Sequence, residues 1–340
     1  MCGKNNNKSE KRQKLEKEDE FRKRILNITT IDDFNQACAE GRASDMIGVS
    51  EALQERKVIE IANDIAARRQ ANGQVKLVLV AGPSSSGKTT FSKRLRIQLM
   101  TQGLHPLTLS TDDYFVNREA TPLDEQGKYD FESLYALDLP FLGEQLEAFL
   151  AGHVVQMPSY DFVQGQRTFK GNTLHPTKDS ILIMEGIHAL NPLLLPSLSP
   201  EAQYKIYVSP LTRVTLRADM SLSRRDNRLL RRIVRDYKYR GSSAQDTIAR
   251  WPSVCAGEEK WIFPFEQEAD SLFDSSLLFE WAILKRYVTP LLQQVPLSSA
   301  ERAEADRLLS CLAVISPLHD EDLPLTSLLR EFVGGSSFHY

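Results

Sequence analysis

The chain has 340 residues, of which 41% are hydrophobic and 26% charged, with a formal net charge of −3 at pH 7. That length and apolar content can build an enzyme-sized core under a polar surface, and the near-neutral balance excludes a chain-wide attraction to nucleic acid or membrane. No apolar run approaches the roughly 20 residues a bilayer span requires, and the polar N-terminus is unlike a signal peptide, so the reading is cytoplasmic.

Residues 1–24 carry nine Lys or Arg against five Asp or Glu and include Asn5-Asn6-Asn7. With almost no apolar periodicity they read as a charged disordered tail, or as a helix extending into solvent. Residues 25–73 form a helical extension in which Val58, Ile61, Ala62 and Ile65 share one stripe, and Asn72-Gly73 ends the helix. The main domain is expected over 74–295. Its short continuous apolar runs at 75–81, 106–110, 180–184 and 204–208 have the pattern of strands buried on both faces of a parallel sheet, with a weaker candidate at 271–273. Helical patterns at 91–100 and 139–150 separate them, which predicts an α/β doubly wound parallel sheet. Turn-rich segments between 154 and 175 predict a hairpin over one end of that sheet. A C-terminal helical extension, 296–340, holds a helix near 300–315 and then an irregular tail. Cys2, Cys38, Cys255 and Cys311 lack the paired spacing of a zinc site or disulfide framework and read as free thiols.

Gly82-Pro83-Ser84-Ser85-Ser86-Gly87-Lys88-Thr89 fits G-x-x-x-x-G-K-[ST] between a predicted strand and a predicted helix. Such a loop turns backbone N–H groups toward phosphate oxygens, and the helix that follows points its positive dipole end at the same place. Thr90 belongs with the same nucleotide-binding set. Lys88 supplies mobile charge for the β and γ phosphates, and the Thr89 hydroxyl can ligate magnesium, which implies ATP or another NTP with Mg²⁺. An ordinary Ser/Gly turn is the bland alternative.

After the second strand comes Ser110-Thr111-Asp112-Asp113-Tyr114-Phe115, placing carboxylates at the sheet edge where open α/β sheets bind ligands. Asp112 is the candidate general base and a candidate metal ligand, against the alternative that Asp112 or Asp113 caps a turn. Glu185 ends the 180–184 run where P-loop enzymes place an acid that assists magnesium. Between 213 and 240 lie Arg213, Arg217, Arg224, Arg225, Arg228, Arg231, Arg232, Arg235 and Arg240. Arg225, Arg228, Arg232 and Arg235 share one helical face, which reads as a lid closing on phosphates; a solvated helix and an RNA-contacting patch are the alternatives.

Taken in order, G-P-S-S-S-G-K-T, T-D-D-Y-F, Y-D-F-E, P-S-Y-D-F, E-G-I-H and R-R-I-V-R-D-Y-K-Y-R-G resemble the uridine kinase and phosphoribulokinase family of P-loop kinases over roughly residues 75–290. W-P-S-V at 251, E-E-K-W-I-F-P-F at 258 and L-R-E-F-V-G-G-S-S-F at 329 look like the kinase part of nucleoside kinases that carry a TGS domain, though the resemblance includes no TGS domain. The resemblance implies that Asp112 acts as base on a ribose 5′-hydroxyl and that Thr89 and Glu185 attend magnesium. It implies that Glu132 stands where an aspartate usually holds the ribose, and that Tyr160, Phe162 and Arg232 line the acceptor pocket. Arg235 and Arg240 match arginines that clamp the phosphates, and with Lys88 and Asp112 they complete the expected catalytic set. The family's base-contacting histidine is replaced by Val163-Gln164-Gly165-Gln166, which leaves the base unread, and His188 is either a substrate contact or packing at the sheet edge.

The expected function is ATP-dependent phosphorylation of a nucleoside, uridine or cytidine foremost, with a small-molecule partner expected ahead of nucleic acid, no membrane partner, and a homo-oligomer left open. A same-fold kinase for another sugar or small alcohol is the enzymatic alternative. A nucleotide-binding regulatory or RNA-associated module without turnover is the alternative of another class.

Overall fold

The computed structural model describes residues 2–72, 75–195, 198–211, 214–217 and 220–340. Three helices come first, α1 (Cys2–Leu26), α2 (Ile31–Ala39) and α3 (Ala43–Asn72), followed by β1 (Leu77–Ala81), α4 (Lys88–Thr101) and β2 (His105–Ser110). Then follow α5 (Leu139–Leu150), β3 (Val155–Asp161), β4 (Gln166–Leu174), β5 (Ser180–Glu185), β6 (Gln203–Ser209), β7 (Val214–Arg217) and β8 (Met220–Leu222). The remainder comprises α6 (Arg224–Arg240), α7 (Ala244–Trp261), β9 (Ser271–Asp274), α8 (Glu280–Gln293), α9 (Arg302–Ala313) and the single turn α10 (Arg330–Val333).

Five strands form a parallel sheet in the order β2-β5-β1-β6-β9, the doubly wound arrangement expected from the alternating apolar runs. The weak candidate at 271–273 is its edge strand, and the turn-rich stretch forms the antiparallel hairpin β3–β4. Side chains alternate across a strand, so each buried strand feeds two cores. Val78, Val80, Ile181, Ile183, Ile206 and Val208 enter one cluster with α3, α4, α6 and α8, while Leu77, Leu79, Leu182, Met184 and Tyr207 enter the other with α5 and β3.

The expected stripe of α3, Val58, Ile61, Ala62 and Ile65, is buried in the first cluster, as are Leu308, Leu312, Leu328 and Phe332 from the C-terminal region. Both extensions therefore share a core with the sheet. On α4, Arg94 is buried and bonds Glu55 of α3 at 2.7 and 2.9 Å, tying the N-terminal extension to the helix that follows the glycine loop. The stretch 1–24, expected as a disordered tail or a solvent-extended helix, falls largely in the helix Cys2–Leu26, which touches the body: Lys57 of α3 reaches Glu18 at 2.7 Å, and Lys11 donates to the Ala269 carbonyl at 2.5 Å. A lysine and a carbonyl remote in sequence meet its charges, so local composition alone reads as unordered.

The arginine run is divided. Arg213 lies outside the described residues, and Arg217 is in β7. Ser223 opens α6 with a capping box closed by Asp226, and Leu229, Leu230, Ile233 and Val234 enter the core. Arg231 is fully buried against Glu280 of α8, with Nε 2.8 Å from Oε2, and also donates to the Ser275 carbonyl at 2.7 Å. Arg231→Met would strand Glu280 as a buried charge, so unfolding free energy should fall by about 3–5 kcal/mol. Chemical denaturation measures this, and a change below about 1 kcal/mol would show that the pair does not hold α6 to α8.

Candidate active site

The loop 82–89 joins β1 to α4 at the carboxyl edge of the sheet. Gly82 has φ 156°, and a Cβ there would lie 1.9 Å from the Val208 carbonyl oxygen, so only glycine lets the loop leave β1 this close to β6. Ser85 is held at φ 60°, a strained value for a non-glycine residue that fits a loop wrapped around an anion. Lys88 is buried and donates to the Pro83 carbonyl at 3.2 Å, folding its ammonium back over the loop. On the far side, Arg228 donates to the Ser84 carbonyl at 3.2 Å and Arg231 to the Ser86 carbonyl at 3.4 Å.

The carboxylates gather opposite. Glu185 ends β5, and its Oε1 accepts from Thr89 Oγ1 at 3.1 Å and Ser110 Oγ at 3.3 Å. Gly186 lets β2 come near: a Cβ there would meet Thr111 Oγ1 at 1.7 Å. Asp112 therefore sits in the turn of 3₁₀ helix that ends β2, close enough to Glu185 for each charge to act on the other. Burial first, then the Asp112 carboxylate, push Glu185 up to about 7, against the pull of Lys88. Asp113 takes a different part, since its Oδ1 accepts the Tyr160 N–H at 3.2 Å and pins β3 to this turn. The two neighbouring aspartates are thus separated into one that braces β3 and one whose charge acts on Glu185 and Glu132.

Glu132 closes the group. Its Oε2 is buried without a hydrogen-bond partner, and burial raises it to about 7 even though Arg232 and Lys88 favour its charge. A Cβ on Gly257 would lie 2.4 Å from the Glu132 Cβ, so α7 backs this side chain directly. His188 is 1% exposed, and burial lowers it to about 4, which keeps the ring neutral at physiological pH. It is packed beside the Glu132 and Ser133 carbonyls.

Phe115, Tyr160 and Phe162 form an aromatic wall, with ring centroids 5.5 Å apart for Phe115–Tyr160 and 5.1 Å for Tyr160–Phe162. The Tyr160 hydroxyl is buried and unpartnered, and the Arg240 guanidinium lies 5.1 Å from the Phe162 ring centre. Arg232 donates to Ser84 Oγ at 2.9 Å and to Asp236 at 3.2 Å, and Asp236 also pairs with Arg235 and Arg240. Repulsion from Arg235, with burial, lowers Arg240 to about 10.

The expected phosphate-closing face is only half present. Arg232 faces the loop, and Arg235 joins it around Asp236, whereas Arg225 pairs with Glu259 and Arg228 is buried in a two-pronged pair with Glu258. Those acids lie on α7, so the helical spacing of α6 could not reveal them. Glu258 also accepts the Ser84 N–H at 3.2 Å. Its role went unread, although it sits in the E-E-K-W-I-F-P-F motif. At Thr90, Glu331 Oε2 accepts from the backbone N–H at 3.1 Å and the hydroxyl at 2.8 Å, and the Tyr340 hydroxyl approaches Thr90 Oγ1 at 2.8 Å. That segment too was visible only as a motif.

Among the described residues no group of three or more His, Cys, Asp or Glu side chains could enclose a metal ion. Magnesium asks for less, since it is commonly held by one or two carboxylates together with phosphate oxygens. Thr89 Oγ1, Glu185 and Asp112 are hard oxygen donors, and the crowding that raises Glu185 is what a divalent cation would relieve.

Residues 77–277 match the family described as Phosphoribulokinase / Uridine kinase. The chain is 30% identical over 195 residues to a uridine kinase of Lactobacillus johnsonii, covering 57% of this chain and 83% of that one. It is 31% identical over 203 residues to a uridine kinase of Ligilactobacillus salivarius, covering 59% and 86%. A solved structure of a possible uridine kinase from Bacillus stearothermophilus aligns with 63% of this chain and 98% of its own, at 18% identity and a TM-score of 0.41.

Because the raised Glu132 binds its proton more tightly when folded, the folded state holds more protons than the unfolded chain between about pH 4.5 and 7. Its contribution to stability therefore declines as pH rises through that window. Glu132→Gln should flatten the decline and stabilise the nucleotide-free protein at pH 8 by about 1–3 kcal/mol. Thermal unfolding at pH 5 and pH 8 checks this; equal pH dependence in both proteins would contradict it.

Proposed function

This chain belongs to the phosphoribulokinase and uridine kinase family, and on that footing we propose that it transfers the γ-phosphoryl group of ATP to the 5′-hydroxyl of a nucleoside, uridine or cytidine foremost. One observation carries the reading: the Asp112 charge, in the turn that ends β2, acts on both Glu185 and Glu132, which the charge of Lys88 also reaches, while Asp113 is tied to β3. An acceptor hydroxyl between Asp112 and the loop would be placed for in-line attack.

In this mechanism the donor's phosphates lie along residues 82–90, with Lys88 at the β and γ groups. Thr89, Glu185 and Asp112 are the residues that would hold magnesium. When bound, that ion neutralises charge on the β and γ oxygens. Glu132 holds the ribose hydroxyls, and Tyr160 and Phe162 cover the base from the aromatic wall, with Arg232 at the pocket's edge. Asp112 accepts the proton of the 5′-hydroxyl as its oxygen bonds to the γ-phosphorus and the bond to the β–γ bridging oxygen breaks. Arg235 and Arg240 stabilise the charge spread over the transferring group. Positioning and charge stabilisation supply most of the rate.

The base side is less demanding. The β3–β4 turn holds Val163, Gln164 and Gln166 outward, with Asp161 accepting from the N–H groups of Val163 and Gln164 at 2.8 and 2.9 Å. A pocket with no fixed partner for a base edge discriminates weakly. Uridine and cytidine should therefore differ by no more than about tenfold in kcat/KM. Nucleosides and other sugars or small alcohols incubated with ATP and magnesium, with products identified by mass spectrometry, test this. Turnover of sugars alone, with no nucleoside phosphorylated, would replace the nucleoside by another acceptor.

Asp112→Asn should lower kcat by about 10²–10⁴-fold while ATP affinity stays within a few-fold. Near-normal turnover of the variant would remove Asp112 from the role of base.

A further inference from the structure

Thr90 is the third residue of α4, and its N–H is one of the free donors that make a helix N-terminus an anion seat. A carboxylate of the protein itself takes that seat. Glu331 Oε2 accepts from both the Thr90 N–H and its hydroxyl, and the Tyr340 hydroxyl closes on the same oxygen of Thr90.

The segment that delivers Glu331 is built to this place. Leu328, Leu329, Phe332 and Val333 are buried in the core, and Leu328 rests on Gly87 of the loop so closely that a Cβ there would lie 2.5 Å from Leu328 Cδ2. Arg330 is fixed by Asp320 at 2.9 Å and by the Leu323 carbonyl at 2.8 Å. Glu331 itself is only half-buried, so its side chain can turn away while its neighbours stay packed. Gly334 and Gly335 follow, both at positive φ, and beyond them Tyr340 is 59% exposed with Lys93 of α4 5.5 Å from its ring centre. A buried anchor thus carries a half-buried carboxylate and an exposed aromatic onto the N-terminal end of α4.

We propose that Glu331 is a built-in competitor for the donor's phosphate, so that a nucleoside triphosphate must displace it from Thr90 and residues 334–340 respond to donor binding. The proposal rests on the reading of ATP as donor. Two like charges cannot share one N–H, and the carboxylates of Glu185 and Asp112 already crowd the same edge. Displacement turns Glu331 and Tyr340 outward and makes donor affinity depend on a segment outside the loop, as in an equilibrium biased by a differential contact.

The test is calorimetric titration of wild type, Glu331→Gln and Glu331→Ala with magnesium ATP, tripolyphosphate and adenosine, alongside thermal unfolding. Removing the carboxylate should tighten ATP and tripolyphosphate binding by about tenfold in Glu331→Ala. Glu331→Gln keeps the shape and the accepted hydrogen bond, should gain several-fold, and carries the test if the alanine variant does not fold. Adenosine affinity should not change. Unchanged or weaker triphosphate binding in the folded variants, with a lower melting temperature, would make Glu331 a helix cap and overturn the proposal. Failure of every protein, wild type included, to bind ATP would remove the donor reading itself, an outcome distinct from failure of the competitor.

Discussion

The glycine loop can present its N–H groups inward only because something holds its carbonyls outward. Arg228 takes the Ser84 carbonyl and Arg231 the Ser86 carbonyl, and each guanidinium is itself held by a buried glutamate, Glu258 from α7 and Glu280 from α8. A planar peptide directs its C=O and the following N–H to opposite sides. Drawing the two carbonyls toward α6 therefore turns the N–H groups of Ser85 and Gly87 the other way. Burying four charges is costly, and their mutual pairing offsets that cost only when the remaining hydrogen-bonding capacity is also used. Here the loop carbonyls, Ser275, Asn227 and the Leu277 N–H use it.

With that scaffold in place the opposite edge needs only proximity. Parallel register brings Ser110 level with Glu185 on neighbouring strands, and Gly186 removes the side chain that would keep Thr111 away. Asp112, Glu185 and Glu132 then share a poorly hydrated space in which their charges oppose one another. Burial and repulsion hold Glu185 and Glu132 near 7, a state that favours the arrival of cations and of hydrogen-bonding hydroxyl groups. The arginines around Asp236 supply positive charge from the third side, so the cleft lies between fields of opposite sign.

The two extensions also act on this centre. The buried Arg94 fastens α4 to α3, and Leu328 of the C-terminal region rests on Gly87 just ahead of α4. The helix that carries Lys88, Thr89 and Thr90 is gripped by residues more than two hundred positions apart in the chain.

What the sequence determined by itself is the part governed by local spacing. The loop 82–89, the apolar runs of the sheet, the hairpin at 154–175 and the acids at the strand ends all follow from period, glycine placement and short motifs. What only the tertiary structure decided is which charges are spent. Helical spacing put Arg225, Arg228, Arg232 and Arg235 on one face, but Glu258 and Glu259 from α7 consume two of them. Asp112 and Asp113 are adjacent and alike in sequence; a single bond from Asp113 to the Tyr160 N–H distinguishes them. The charged stretch 1–24 looks unordered until Ala269 and Lys57 meet the helix it falls in. In each instance the partner is distant in the chain, and charge pairing has no period that a linear reading could detect.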